Sequence, residues 1–233
     1  MPRIPILIGV LAGLLAGACT YRQGTIDDPF ARNFQYFSYV AGDDIRRDCR
    51  PGAVPQYRFV YNAIWDEQVR TYDLRRSATG EGAVLWSEIF EGGGLLSALN
   101  TANLLRRTRD GSGRVLLSDA EYRELVRSVE ASGFDGPAPQ GLALPSWAFY
   151  WVVAACVDGR FHLNAWRYPS ERFAEIQFAQ ALFRYDPSGI PVNPPRQTNE
   201  TVRAAPPGAE REPRWDFVLR VGENDLSGRA AFF

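Results

Sequence analysis

The sequence predicts an α+β domain, an antiparallel sheet built from hairpins and packed by about two helices. Three observations carry that class. Alternating runs rich in aromatic and β-branched residues read as strands, and an Asp-Gly pair between two apolar runs reads as a tight hairpin. Two stretches with helical spacing are set among these strands without alternating with each of them.

The first strand is "YRFVYNAIW", where Tyr57, Phe59, Tyr61, Ala63 and Trp65 alternate with Arg58, Val60, Asn62 and Ile64. "QVRTYDL" reads as its hairpin partner, although Asp66-Glu67 is a poor two-residue turn and leaves the register open. "AVLWSEIF", Ala83 to Phe90, reads as a third strand. "EGGGLLSALNTANLLRR" lacks the spacing of a phosphate loop and reads as a bend into a short helix. "SDAEYRELVRSVEASG" is a helix with its own punctuation. Ser118 caps it, Glu121 completes a capping box, Tyr122, Leu125, Val126 and Val129 share a face, and Gly133 ends it.

In "SWAFYWVVAACVDGRFHLNAW" the Asp158-Gly159 dipeptide favours a type I′ turn, which sets paired positions to sum to 317. Cys156 then faces Phe161, Ala155 faces His162 and Trp151 faces Trp166. Val152, Ala154, Cys156, Phe161, Leu163 and Ala165 share an apolar face that reads as core. Trp151, Val153, Ala155, His162, Asn164 and Trp166 share the other. Such a mixed face either binds a sugar, peptide or lipid through Trp151, His162, Asn164 and Trp166, or is covered by a helix that supplies polar partners. Because Cys156 and His162 lie on opposite faces, a thiol–imidazole dyad is excluded. A second helix is expected from Ser170, with Phe173, Ile176, Ala179 or Gln180, and Phe183 inward. Residues 186–214 hold seven of the sixteen prolines and read as loop or mobile segment. "RWDFVLRVG" reads as the last strand.

Catalytic signatures are sparse. The chain has one His, three Cys and no Lys, and neither an EF-hand spacing at Asp43, Asp44 and Asp48 nor a G-x-S-x-G elbow occurs. The acidic cluster reads as solvated or paired with Arg46, Arg47 and Arg50. No cofactor and no metal site is expected. A net charge of −1 gives no basic excess of the kind that binds nucleic acid, so no nucleic-acid partner is expected.

The amino terminus runs from Ile4 to Ala18 without a charge, short for a spanning helix, which needs about 20 apolar residues, and suited to a signal-peptide core. Ala16, Gly17 and Ala18 lead directly into Cys19, and this stretch resembles the lipobox of bacterial lipoproteins. The resemblance covers the first twenty residues only, with Ala16 where leucine is usual. It implies cleavage before Cys19, a diacylglyceryl group on its thiol and usually an N-acyl chain. Thr20, in place of Asp, implies sorting to the outer membrane, with the chain facing the periplasm and the lipid on Cys19 as its membrane contact. The organisation expected is a signal peptide at 1–18, a tether and lead-in at 19–48, and one α+β domain at 49–233.

With Cys19 acylated, Cys49 and Cys156 remain in an oxidising compartment, where a disulfide between them is expected, the alternative being two separate buried thiols. The functional expectation is a lipid-anchored envelope protein, a binding or assembly-accessory module whose partner is an envelope protein or polymer. The alternative is an envelope-polymer hydrolase whose carboxylates no motif reveals.

Overall fold

The computed structural model describes residues 36–91, 111–198 and 215–232. The leader, Cys19, the bend-and-helix expected after Glu91, the second half of the proline-rich segment and Phe233 lie outside them.

A six-stranded antiparallel sheet forms the centre, in the order β4-β3-β2-β1-β6-β7. Its strands are β1 (Gln56–Ala63), β2 (Gln68–Arg76), β3 (Ala83–Glu91), β4 (Ser112–Leu117), β6 (Phe149–Val157) and β7 (Arg160–Arg167). A second, three-stranded sheet, β5-β8-β9, combines β5 (Ala143–Pro145), β8 (Trp215–Val221) and β9 (Leu226–Phe232). The helices are α1 (36–41), α2 (Asp43–Asp48), α3 (Asp119–Ala131), α4 (Glu171–Ala174) and α5 (Phe178–Tyr185). Among the described residues no helix is long and apolar enough to cross a membrane.

Strand alternation feeds two cores, one on each face of the central sheet. Tyr57, Phe59 and Tyr61 of β1 point to the same side as Tyr72, Leu74, Leu85, Trp151, Val153 and Trp166, and α3 and α5 close that side with Leu125, Val129, Phe178 and Leu182. Val60, Val69, Tyr150, Val152, Ala154, Leu163 and Ala165 point to the other. There Leu144, Phe217, Leu219 and Val221 of the small sheet and Tyr36 and Val40 of α1 cover them. The β6–β7 register is the one the turn dictates, with Trp151 opposite Trp166 and Cys156 opposite Phe161. Asp158 and Gly159 both adopt positive φ, 51° and 71°. A Cβ on Gly159 would stand 2.5 Å from the Pro51 nitrogen, so the turn needs glycine for space as well as for φ.

Several elements differ from expectation. The first hairpin turns over four residues, not two: β1 stops at Ala63, Ile64 has φ 65°, and the amides of Glu67 and Gln68 both donate to the Ile64 carbonyl. That swings Trp65 to the second core, edge-on to Phe217 at 5.1 Å. The second helix is broken into α4 and α5, and the fully buried pair is Phe178 and Leu182. The break lets the Gln177 amide donate to Ser132 Oγ at 2.9 Å, an anchor outside the helix's own sequence. "RWDFVLRVG" is followed by β9 and so is not the last strand. From residue 36 on, the expected lead-in is helical and buries Tyr36, Val40 and Ile45. Gly42, φ 68°, separates α1 from α2 where a Cβ would stand 2.6 Å from that of Ala154.

A disulfide joins Cys49, just past α2, to Cys156 in β6, with Cα atoms 5.6 Å apart. Gln56 of β1 lies directly opposite Cys156, which brings the lead-in to the thiol.

Candidate functional site

The mixed face of the β6–β7 hairpin is closed. Trp151 and Trp166 are 1% and 0% exposed, and both meet Phe178 of α5 edge-on, at 5.2 and 5.4 Å. Its polar tips serve the chain that leaves α3. Trp166 Nε1 donates to the Ser132 carbonyl, Asn164 Nδ2 to those of Phe134 and Gly136, and His162 Nε2 to Phe134 at 2.7 Å. Asn164 Oδ1 accepts from Arg172. Of the two readings of the face holding Trp151, His162, Asn164 and Trp166, the structure therefore has the covered one, and the binding role is corrected. Segment 132–136 sits where a ligand would, and its carbonyls use the donors that made the face look like a binding surface.

Two buried arginines, neither singled out from sequence, organise the rest. Arg58 lies under α1 and α2. Its Nε donates to Asp73 Oδ1 at 2.7 Å, Nη1 and Nη2 reach both oxygens of Asp44, and its guanidinium stacks 3.8 Å from the Tyr39 ring centre. Burial raises the Asp44 pKa, but hydrogen bonds and charge from Arg58 outweigh it, and the carboxyl sits below its ordinary range. Asp44 thus pairs with β1 rather than with Arg46, Arg47 or Arg50.

Arg70 is deeper, 1% exposed among the aromatic rings of the first core. It donates to Gln68 Oε1, Asp186 Oδ2 and the carbonyls of Ile190 and Pro191, and Tyr72 Oη also donates to Asp186 Oδ2. Segment 186–198 is irregular, as expected, but these bonds hold it across the sheet. Prolines supply no N–H, so the strap's carbonyls depend on donors from elsewhere, and Arg70, Gln68 and Tyr61 provide them. Both arginines are spent on internal partners. Among the described residues, no group of three or more His, Cys, Asp or Glu could hold a metal ion.

What stays uncovered is the outer face of β3 and β4. The second core reaches the end of β3 at buried Phe90 but not its middle or β4, where Trp86 is 39% and Leu116 76% exposed. These two lie on the same face with Val84, which pairs with Leu116, and Arg114, which pairs with Trp86. Val54, 37% exposed, lines an adjoining cavity of about 460 Å³ with Gln56, Arg50 and Arg75. Arg75 of β2 pairs with Val84, so the cavity adjoins the same face. The large apolar side chains exposed among the described residues, Val54, Trp86 and Leu116, thus lie toward this side of the sheet, and Trp86 beside Arg114 is the aromatic-with-Arg pairing enriched in interfaces. The sequence marks the third strand but does not show that its even-numbered face is covered at Phe90 and left open at Trp86.

No protein-family model, no curated protein and no solved structure matches the chain.

Proposed function

We propose that the protein is a lipid-anchored component of the bacterial envelope that acts as a binding or assembly-accessory module, docking through the outer face of β3–β4. The observation that supports this most is the uncovered Val84–Trp86–Leu116 patch, on a domain that otherwise covers both faces of its central sheet. The leader ending at Cys19 supplies the anchor, at the outer membrane and facing the periplasm. From Cys19 to Tyr36 the chain takes 36 − 19 = 17 steps, a reach of at most about 60 Å, which keeps the domain close to its membrane.

The hydrolase alternative asks for two carboxylates free to face a substrate. Asp44 and Asp73, which do come together, converge on Arg58, and Asp186 is committed to Arg70. The binding reading is tested by Trp86→Ala and Leu116→Ser, which leave folding intact and abolish contacts made from this face in the membrane. Retention of those contacts contradicts it.

A further inference from the structure

The two edges of the central sheet are treated differently. In β7 the outward backbone groups are those of Phe161, Leu163, Ala165 and Arg167, and a side chain takes one group of each. Asn224 Nδ2 donates to the Phe161 carbonyl at 3.0 Å and Asn224 Oδ1 accepts from the Leu163 amide at 2.7 Å. Asn164 Oδ1 takes the Ala165 amide and Ser170 Oγ donates to the Arg167 carbonyl. Such plugging prevents another strand from adding there.

β4 has no such plug at its centre. The Ile89 amide donates to the Gly111 carbonyl, so Ser87–Gly113 and Leu85–Val115 are the hydrogen-bonded pairs of that ladder. The N–H and C=O groups of Arg114 and Leu116 point away from β3, and among the described residues they have no partner. Leu116 and Trp86, the two exposed apolar residues of the central sheet, lie at this edge and one strand in from it.

We propose that the edge of β4 pairs antiparallel with β4 of a second copy of this chain, about a two-fold axis at Val115. This rests on the outer face being a docking surface, and it names the occupant. In this register Arg114 of each copy stands opposite Leu116 of the other, so two hydrogen-bonded pairs form from groups that have no partner among the described residues. The Arg114 stem lies over Leu116 of the second copy, and no like charges are directly opposed. Moving the axis to residue 114 would set the two Arg114 side chains against each other. A net charge of −1, or −2 once a leader carrying Arg3 is removed, opposes self-association little. The contact is small beside standard interfaces, so the pairing gains from two copies tethered to one membrane surface.

Disulfide trapping in membranes carrying the full chain tests this. Val115→Cys gives a cross-linked dimer on oxidation, several-fold above the wild-type background that accounts for Cys19. Because Val115 is partly buried against the first core, a second trap uses exposed positions. Arg114→Cys and Leu116→Cys, expressed together, cross-link to one another more than either does alone. Absence of dimer in both traps overturns the proposal, as does an Arg114→Cys homodimer exceeding the mixed one. If position 116 instead captures a different protein, self-pairing is wrong while the docking face stands; if it captures nothing, both fail.

Discussion

Arg70 Nη1 donates to Asp186 Oδ2 at 2.7 Å, joining a side chain 1% exposed to one 4% exposed across 116 residues of sequence. This contact fixes the proline-rich strap over the first core. Removing one member leaves the other charged and buried. Asp186→Asn is expected to cost about 3–5 kcal/mol in urea unfolding. Replacing both, Arg70→Met with Asp186→Leu, recovers part of that loss. A change under about 1 kcal/mol in Asp186→Asn would mean that the pair is not buried as described.

The disulfide gives a second prediction. Thiol titration of the denatured, unreduced mature protein finds no reactive group from Cys49 or Cys156. Cys156→Ser lowers stability by about 2–5 kcal/mol, because the bond closes a loop with sequence separation 107. Two reactive thiols would refute the bond.

Trp166→Ala is expected to cost about 3–5 kcal/mol, since its indole is fully buried and its Nε1 donates to Ser132. Denaturant melting checks this. A near-neutral result would restore Trp166 to the surface.

How much of this was legible in the sequence depends on whether the cause was local. The Asp158-Gly159 turn dictates its own register, and the Ser118–Glu121 box its own helix, because neighbours a few residues apart make the bonds. The same register sorts Cys156 from His162. Periodicity shows that Trp151 and Trp166 share a face, but what covers that face is decided by Phe178 and segment 132–136, distant in the chain. β4 reads poorly because its two faces differ little in polarity: Leu116 is exposed while Gly113 packs against Pro187. Arg70 carries no local mark of its burial, since its partner Asp186 lies in the proline-rich segment.

Stability depends on pH at both ends. Burial pushes the phenols of Tyr36, Tyr61, Tyr72 and Tyr150 above their ordinary value of 10.0. A raised folded pKa contributes stability that is fully present below the unfolded value and lost as pH rises beyond it. These phenols therefore stay protonated past pH 10 until the protein unfolds, and ultraviolet titration shows their ionisation coinciding with loss of circular dichroism. Asp44 has the opposite sign. Its lowered pKa contributes stability above the ordinary carboxylate range, lost as pH falls through its folded value. Asp44→Asn flattens the acid limb of the stability profile; an unchanged limb would contradict the Arg58 assignment.

The central claim is that a membrane-anchored chain works through the outer face of β3–β4. Photo-crosslinking in intact cells tests it most directly, with the reactive side chain placed at Leu116 or, for comparison, at exposed Arg127 on α3. The predicted result is a discrete adduct from position 116 in the membrane fraction. That adduct disappears with Trp86→Ala or with Cys19→Ser, and position 127 gives none. Adducts of equal strength from both positions, or an adduct from 116 that survives both substitutions, would contradict the account.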